Sequence, residues 1–565
     1  MRFSPRSTAA RRCLLPAVLA ALILISPATF ASAYNAHPKL VVVIIIDQFR
    51  ADYLERYRDQ FPDGGFRLLL DHGANFTDCN YDYANTRTAP GHATLFTGAY
   101  SNDHGIVANE WWDPKKKRAV TSVEDDDTQL VGISAGIDAN TNANIKKAGA
   151  SPHNLLADTL GDELKLATQG QSRVLSLSLK DRAAVLPGGF SADAAYWIDP
   201  KSGAWITSTY YRRDLPKWAQ DFNAANRTAK YWDRHWKNSN GDVLRSTAHR
   251  KGNNKDGADA GFYEVVGATP FANEYELEFA KELMVYENLG AGKATDLLAI
   301  SLSPNDILGH QVGPDSPEMA AMALALDREL ADFFTFLGHQ VGLADTWIAL
   351  SADHGVSALP DAAKRLRIPA ANLDASKLET QINSALAAKF SPGHNATYMK
   401  LDYPIAWLDQ DAFAAAHIKE HDAETAVGEA MKQAGLRDYF TKSQLAEGEV
   451  PATALGKKFL NSYSPEGGWY VMGVPEPYTV GPAKGTDHAS PYTYDTHVPL
   501  AFYGLPFRPG TYHTHAEPVD LAVTLASLLG INAPTHAVGR VLTEAIAAPH
   551  HVENAAAPAA ERAPQ

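Results

Sequence analysis

Six side chains of this 565-residue chain combine the residue types and the spacing that bind divalent metal ions. They are three aspartates and three histidines: Asp47, Asp306, His310, Asp353, His354 and His488. Asp306 and His310 are four positions apart, a spacing that puts both side chains on one face of a helical turn. Carboxylate and imidazole donors in this proportion suit zinc, and manganese or iron at one position would fit the same ligands. The set predicts a site for two zinc ions.

Each member of this set also has an ordinary structural interpretation. Asp306 and His310 would suit a solvated helix face, and Asp353 would suit the cap of a turn after a strand. His488 would suit a loop histidine without a function. The common location of the six residues favours metal binding, because all of them fall at predicted strand ends or adjoining loops of one sheet.

The elements that must position these residues are buried strands. Largely aliphatic segments, which are typical of parallel strands buried on both faces, occur at residues 40–46, 174–179, 297–302 and 348–350, and the first of them is uninterrupted. Polar residues follow these segments: Asp47, Lys180, Asp306 and Asp353. An amphipathic helix is predicted between the last two segments, with Ser316 and Pro317 at its start and Gly338 at its end.

The order of strands and helices predicts an α/β fold. A further strand near residues 498–503 and a helix at 518–529, stopped by Gly530, complete the pattern. We expect a core of mostly parallel β-sheet with helices on both faces and with ligands at the carboxyl ends of the strands. Residues 34–545 form the predicted main domain. Two ranges within it, about 191–290 and 359–484, are too long for simple connections and are predicted to be inserted cap regions.

The two ends of the chain differ from the rest in composition. Residues 1–33 contain four arginines, an apolar segment from Leu14 to Ile25 and small residues ending at Ala33. This pattern predicts a cleaved secretory signal and a periplasmic or secreted protein. The apolar segment has 12 residues, fewer than the ~20 that span a bilayer, so no stable membrane insertion is expected. Residues 546–565 are rich in alanine and proline, which indicates a disordered tail.

Composition and charge limit the possible partners. Apolar residues make up 45% and charged residues 21% of the chain, which excludes a fibrous or wholly disordered protein. The formal net charge of −14 disfavours binding to nucleic acids or anionic membranes, beyond nucleotides as substrates. A small anionic substrate can still bind where metal ions reverse the local field. Of the two cysteines, Cys13 lies in the predicted signal, so Cys79 has no disulfide partner and is expected to be buried.

Thr88 stands just ahead of a predicted helix, in the segment 86–98. The free N–H groups and the dipole at the start of a helix attract anions. A threonine hydroxyl is a weak nucleophile unless coordination to a metal lowers its pKa. Thr88 is therefore a candidate nucleophile beside the predicted metals, with a plain helix N-cap as the alternative.

Several ordered motifs surround these residues. They are the strand-end Asp47; Thr88-x-x-Gly-His with His104-Gly-Ile106 and Asn109-x-Trp111; Ser178-Leu-Lys180-Asp-Arg182; Asp306-x-x-x-His310; Asp353-His354-Gly; and His488-Ala-Ser-Pro-Tyr-x-Tyr-Asp-Thr-His497. In this order they resemble the alkaline phosphatase superfamily, specifically the phosphate-irrepressible (PafA-type) alkaline phosphatases. This group is related to the type I phosphodiesterases and nucleotide pyrophosphatases. The resemblance extends from Asp47 to Gly530.

The resemblance implies a role for each position. One zinc would be held by Asp306, His310 and His488, and the other by Asp47, Asp353 and His354 with the Thr88 oxygen as an exchangeable ligand. Thr88 would attack phosphorus to form a phosphothreonine, which water then hydrolyses. The resemblance also implies that Asn109, Lys180 and Arg182 bind the phosphoryl oxygens. The implied function is an exported, zinc-dependent phosphomonoesterase that releases inorganic phosphate from small organic monoesters.

Two other functions stay open on the sequence alone, and so does the oligomeric state. One is a phosphodiesterase or nucleotide pyrophosphatase on the same two-metal site, and the other is a non-catalytic phosphate-binding or metal-binding protein. Sulfatase chemistry is not expected, because Thr88 replaces the cysteine or serine that sulfatases modify. His497 competes with His488 as a ligand and is interpreted as a buried structural histidine. His92 and His104 are interpreted as structural, and Trp111 and Trp112 could either line the cleft or pack.

Overall fold

A computed structural model of the chain describes residues 37–113, 115–133, 148–248, 260–392, 394 and 396–547. Residues Pro38–Ile546 form one compact unit. The predicted signal and nearly all of the predicted tail lie outside the described residues. Within the described ranges, no helix combines the length and the apolar character that a membrane span requires.

Twenty-one strands occur in the described residues. They are β1 (Leu40–Ile46), β2 (Ala74–Phe76), β3 (Glu110–Asp113), β4 (Arg118–Thr121), β5 (Glu124–Val131), β6 (Ala148–Ala150), β7 (Val174–Ser178), β8 (Ala194–Ile198), β9 (Trp205–Ser208), β10 (His235–Lys237), β11 (Val243–Ser246), β12 (Asp296–Leu302), β13 (Thr346–Ser351), β14 (Ala371–Asn372), β15 (Met399–Asp402), β16 (Ile405–Leu408), β17 (Asp438–Thr441), β18 (Tyr470–Val474), β19 (Thr479–Val480), β20 (Leu500–Tyr503) and β21 (Gly510–Tyr512).

The α-helices of the described residues alternate with these strands. They are α1 (Asp52–Arg56), α2 (Phe66–His72), α3 (Thr88–Thr97), α4 (Ser101–His104), α5 (Leu160–Ala167), α6 (Asp181–Gly188), α7 (Lys217–Ala224), α8 (Ala260–Gly267), α9 (Pro270–Tyr286), α10 (Pro304–Val312), α11 (Pro317–Gln340), α12 (Pro360–Arg365), α13 (Ala375–Phe390), α14 (Gln410–Ala415), α15 (Glu420–Gln433), α16 (Lys442–Glu447), α17 (Ala454–Leu460), α18 (Thr493–Thr496) and α19 (Asp520–Leu529).

The core of the unit is an 11-stranded sheet in the order β21-β2-β20-β13-β1-β12-β7-β8-β9-β5-β6. The five central strands, from β13 to β8, run parallel. Every residue of β1, β12 and β13 is buried, as their largely aliphatic segments predict. The α/β fold with a mostly parallel core is thus confirmed. Antiparallel pairings lie toward its margins, where β20, the predicted strand near 498–503, pairs antiparallel with β13.

The register of the central strands aligns their carboxyl ends. Ile46 of β1 pairs with Leu302 of β12, and Ile45 pairs with Ser351 of β13. The polar segments that follow these three strands therefore begin side by side at one edge of the sheet. This alignment is what brings residues far apart in the sequence to a single site.

Helix α11 forms the crossover between β12 and β13. The Ser316 hydroxyl caps its start by accepting a hydrogen bond from the Met319 N–H at 3.1 Å. Its predicted apolar face is buried: Met319, Met322, Leu326, Leu330, Phe333 and Leu337. The helix continues past Gly338 to Gln340, because a single glycine weakens a helix without ending it.

The two predicted cap ranges differ in how they join the sheet. In the first range, β8 and β9 extend the main sheet, whereas β10 and β11 form a separate two-stranded sheet. The second range contains a four-stranded sheet in the order β15-β16-β18-β17. One face of that sheet packs with α13 and α15 around a core that includes Ile382, Val427 and Val471. The second range therefore has a hydrophobic core of its own.

Helix α3 starts in direct contact with the segment that follows β13. Thr88 is the first residue of this helix and Arg87 is its N-cap, so Thr88 itself is not the N-cap. Gly91 lies in the first turn, and a Cβ atom there would come within 2.3 Å of the Asp353 carbonyl oxygen. The absence of a side chain at Gly91 allows this close approach.

We expect Gly91→Ala to lower the free energy of unfolding by about 1–3 kcal/mol, because the added methyl group overlaps the backbone of Asp353. Gly267→Ala is the control, since a Cβ atom on this buried helical glycine would meet only Ile307 Cδ1, at 3.6 Å. The control is expected to leave stability unchanged or to raise it by up to about 1 kcal/mol. Denaturant unfolding of both variants measures the difference. Equal effects would contradict the close contact.

Candidate two-metal active site

The first candidate ligand group comprises Asp306, His310 and His488, whose ligand atoms lie within 4.8 Å of one another. Asp306 and His310 belong to α10, and their four-residue spacing brings His310 Nε2 to 3.0 Å from Asp306 Oδ1. His488 Nε2 lies 3.8 Å from the same oxygen. The loop that carries His488 is attached to the segment before α3, because Thr86 O accepts a hydrogen bond from Ala489 N.

The second candidate ligand group comprises Asp47, Asp353 and His354, also within 4.8 Å of one another. All three side chains are 0% exposed. His354 Nε2 lies 3.5 Å from Asp47 Oδ1 and 3.5 Å from Asp353 Oδ2. These residues directly follow β1 and β13, so the strand register positions them.

The histidines of both groups are oriented by the same device. His310 Nδ1 donates to Thr486 O at 3.0 Å, His354 Nδ1 to Gly355 O at 2.9 Å and His488 Nδ1 to Thr86 O at 2.6 Å. A carbonyl oxygen only accepts, so Nδ1 carries a proton and Nε2 is the nitrogen whose lone pair is available to a metal ion. Each ring thus directs a basic Nε2 at a carboxylate-lined site, which is the arrangement that metal-binding histidines require.

The electrostatics of the second group also fit a cation. Burial raises the pKa of the Asp47 carboxyl, and the neighbouring Asp306 and Asp353 carboxylates raise it further. Asp47 Oδ1, Asp353 Oδ2 and His354 Nε2 are buried and have no hydrogen-bond partner among the described residues. Unpartnered buried acceptors are costly unless a cation binds them. The donor set and these atoms therefore fit a divalent metal ion.

Thr88 is placed between the two ligand groups by the segment that precedes it and the turn that follows it. Before it, Thr86 O accepts from His488; after it, Gly91 contacts Asp353. His92 extends the second link, because its Nδ1 donates to Thr88 O at 2.7 Å and lies 3.3 Å from Asp353 Oδ2. The start of this ten-residue helix, of which Thr88 is the first residue, is therefore attached to both ligand groups.

The three predicted phosphoryl-binding residues lie around the same place. Lys180 Nζ lies 2.6 Å from Asp47 Oδ2 and 2.5 Å from Asp306 Oδ2, so one ammonium group joins both ligand groups. Arg182 lies in the first turn of α6, a helix that packs on α3. Asn109 Oδ1 accepts a hydrogen bond from Ala89 N at 2.8 Å, next to Thr88. The structure brings all three residues toward the helix start, while their roles remain predictions.

Two supporting residues were not identified from the sequence. Gln48 has a φ of +62°, and it donates from its backbone N to Asp353 Oδ1 at 3.0 Å and from Nε2 to Asp306 Oδ1 at 2.6 Å. It thereby links a ligand of each group. The buried Glu276 carboxylate accepts from Leu179 N at 2.9 Å and fixes the backbone before Lys180. The position of Gln48 directly after Asp47 could have indicated its supporting role. Nothing in the sequence around Glu276, which lies in the predicted first cap range, indicated such a role.

The remaining predicted residues have structural contacts. His497 is half-buried rather than buried, and its Nε2 donates to Thr77 O at 2.9 Å, apart from the ligand groups. Cys79 is buried, as predicted. His104 contacts Thr94 and the Ile106 N–H, and burial lowers its pKa to about 3. Trp111 and Trp112 pack at the edge of a hydrophobic cluster.

Two cavities adjoin the candidate site. The larger, of about 680 Å³, includes Lys180 and Arg182 in its wall together with apolar residues such as Trp197 and Ile206. The smaller, of about 560 Å³, borders His310 and Asp487. Both have the volume of pockets that hold small organic ligands.

Comparison with known proteins identifies the family. The model for type I phosphodiesterase / nucleotide pyrophosphatase matches residues 41–460. Alkaline phosphatase PhoV of Synechococcus elongatus is 33% identical over 92% of this chain and 95% of its own length. Alkaline phosphatase PafA of Elizabethkingia meningoseptica is 31% identical over 94% of this chain and 98% of its own length. A protein of Myroides odoratus named calcium-transporting ATPase is 33% identical over 92% and 96% of the two lengths.

Solved structures agree with these relatives. The crystal structure of wild-type alkaline phosphatase PafA matches with a TM-score of 0.79 and 30% identity, covering 90% of this chain and 99% of that chain. A structure of a PafA variant with a threonine, an asparagine, a lysine and an arginine substituted has the same TM-score, 0.79. Both the resemblance noted in the sequence and the expected hydrolase function are confirmed. The chain belongs to the type I phosphodiesterase / nucleotide pyrophosphatase family and, within it, to the metal-binding alkaline phosphatases that hydrolyse phosphate monoesters.

Proposed function

We propose that this alkaline phosphatase hydrolyses organic phosphate monoesters through a phosphothreonine at Thr88, with two zinc ions bound by the two ligand groups. The observation that carries the proposal is the placement of the Thr88 helix start against both groups, next to Lys180. Three carboxylates and three Nε2 atoms meet there, a donor set that suits zinc. The number and the identity of the metals are part of the proposal.

The metals would supply Lewis acidity at this site, lowering the pKa of a coordinated hydroxyl and neutralising charge on the transferring phosphoryl group. The chain itself would supply the nucleophile and its orientation. Thr88 Oγ1 forms a bond to phosphorus as the ester P–O bond breaks, and the leaving oxygen takes a proton. Water then attacks the phosphothreonine, which releases inorganic phosphate and restores the hydroxyl.

Lys180, Arg182 and Asn109 would bind the equatorial phosphoryl oxygens. A guanidinium group can bind two oxygens as a fork, and the ammonium group adds a point charge. A monoester dianion carries more charge on these oxygens than a diester monoanion. The two cations therefore favour monoesters, and each donor is expected to lower the barrier by about 2–4 kcal/mol.

Phosphodiester hydrolysis is the alternative, and one observation favours it. The family includes phosphodiesterases, and the cavity of about 680 Å³ beside Lys180 and Arg182 could hold a second ester substituent. The charges at this cavity argue against a diester. Its second substituent would lie beside Lys180 and Arg182, two cations that stabilise a monoester dianion more than a diester monoanion. We therefore keep the diesterase as the second candidate function.

We also propose that residues 1–33 direct export, so that the enzyme acts in the periplasm or outside the cell. The four arginines and the apolar segment of that range support this proposal. Export would give the enzyme access to organic phosphates that do not enter the cell. Extracellular zinc would then be available for the site.

Replacing the two cations separates the candidate functions. We expect Lys180→Ala and Arg182→Ala each to lower kcat/KM for p-nitrophenyl phosphate by about 10²- to 10³-fold, because each removes a charged donor to the dianion. For bis-p-nitrophenyl phosphate we expect a loss of less than about tenfold. Steady-state kinetics on both esters measures the ratio, and the shared leaving group serves as the internal control. Equal losses on the two esters would remove the proposed role of these residues.

Trapping the intermediate tests the nucleophile. Acid quenching during turnover of a monoester is expected to leave a phosphoryl group on Thr88, which peptide mass spectrometry would locate. Thr88→Ala should abolish the adduct and lower kcat by at least about 10³-fold, whereas Thr88→Ser should retain an adduct at the same position. An adduct on another residue, or full turnover by Thr88→Ala, would contradict the assignment.

A further inference from the structure

The cavity of about 560 Å³ is the opening of the candidate site on the side of the first ligand group. Its wall is formed by His310, Gln311, Pro482, Lys484, Gly485, Thr486 and Asp487. The His310 side chain is 34% exposed, whereas Asp47 and His354 of the second group are 0% exposed. A substrate that reaches the first group therefore has room to extend into this cavity.

The proposed reaction places the leaving group on this side. Thr88 is joined to the second group, because Gly91 contacts the Asp353 backbone and His92 lies 3.3 Å from Asp353 Oδ2. In an in-line displacement the leaving oxygen departs on the side opposite the nucleophile. The organic part of the ester would thus point toward the first group and the cavity. This step rests on the proposed function.

Two cations near the cavity form no ion pair with a described residue: Lys484, which is part of the cavity wall, and Arg245, which is bonded to the wall residue Gln311. Lys484 is exposed and forms no ion pair or hydrogen bond with the described residues. Arg245 donates from Nη1 to Gln311 Oε1 at 2.9 Å and likewise forms no ion pair. The carboxylate in the cavity wall, Asp487, is engaged by the histidines, since its Oδ1 accepts from His488 N at 3.0 Å and lies 3.7 Å from His310 Nδ1.

The backbone around Lys484 is held on both sides. Asn372 Nδ2 donates to Pro482 O at 2.8 Å and to Gly485 O at 3.2 Å. Thr486 N donates to His310 O at 2.9 Å. The Lys484 side chain therefore projects from a fixed position beside the first ligand group.

We propose that Lys484, supported by Arg245, binds a second negative charge on the leaving group, so that monoesters with an anionic organic part are preferred substrates. The chemistry recognised is an additional carboxylate or phosphate. The protein carries a net charge of −14, which repels such substrates at long range. Lys484, which is unpaired among the described residues, attracts such a ligand once it enters the cavity, and Arg245, whose charge Glu318 partly offsets, adds to this attraction.

Binding of matched phosphonates to the metal-loaded enzyme tests the proposal without turnover. We expect 4-carboxybenzylphosphonate to bind about two- to fivefold more tightly than its neutral isostere, 4-carbamoylbenzylphosphonate, the range of an exposed ion pair. Lys484→Gln should make the two affinities equal. Lys293→Gln is the matched control, since Lys293 is also exposed and forms no ion pair within the described part of the chain, but precedes β12 at the opposite end of the strand. Titration calorimetry measures each dissociation constant.

The outcomes separate this inference from the proposed function. Equal affinities in the wild type, or an advantage that Lys484→Gln retains, would overturn the role of Lys484. An advantage that Lys484→Gln removes and Lys293→Gln keeps would support it, and added salt should shrink the advantage. A third ligand, in which a second phosphonate replaces the carboxylate, shows which of the two anions binds more tightly. Turnover of phenyl phosphate by the wild type reports on the proposed function separately.

Discussion

Three buried aspartates converge at the carboxyl edge of one parallel sheet, and this concentration of negative charge governs the rest of the site. Asp47, Asp306 and Asp353 follow three neighbouring strands. The register of these strands aligns the starts of the loops that carry the three aspartates. Burial and the Asp306 and Asp353 carboxylates raise the pKa of the Asp47 carboxyl, an effect that a cation bound between them would offset. The Nε2 atoms of three histidines, each oriented by a backbone carbonyl, complete two ligand groups around this charge.

Residues outside the two ligand groups hold this arrangement in place through close contacts and hydrogen bonds. Gly91 allows α3 to start against the Asp353 backbone. Gln48, in a left-handed conformation that a side chain disfavours, bonds to a carboxylate of each group, and the contacts of the surrounding structure must offset its cost. Glu276, on a helix of the first cap range, fixes the backbone before Lys180. That range therefore contributes to the placement of Lys180 as well as covering the sheet.

Much of this could be predicted from the sequence, because fully buried parallel strands leave an unmistakable aliphatic signal and their polar ends must meet. The central strands and the aspartates at their ends followed from that rule, the crossover helix followed from its amphipathic pattern, and the resemblance to a known family supplied the two ligand groups. Other features depend on contacts between distant segments. No local pattern distinguishes Glu276 from other helical glutamates, and the antiparallel pairing of β20 depends on the path of a long connection. His488 was preferred to His497 as a ligand from the sequence, and in the structure His488 Nε2 lies 3.8 Å from Asp306 Oδ1, whereas His497 Nε2 donates to Thr77 O.

The central claim is that this charge cluster exists to hold two metal ions. Diffraction data from a crystal of the purified enzyme, collected on both sides of the zinc absorption edge, test it most directly. The account predicts two anomalous peaks per chain, one surrounded by Asp306, His310 and His488 and the other by Asp47, Asp353 and His354. A single peak, or zinc bound elsewhere while these six side chains contact only one another, would contradict it.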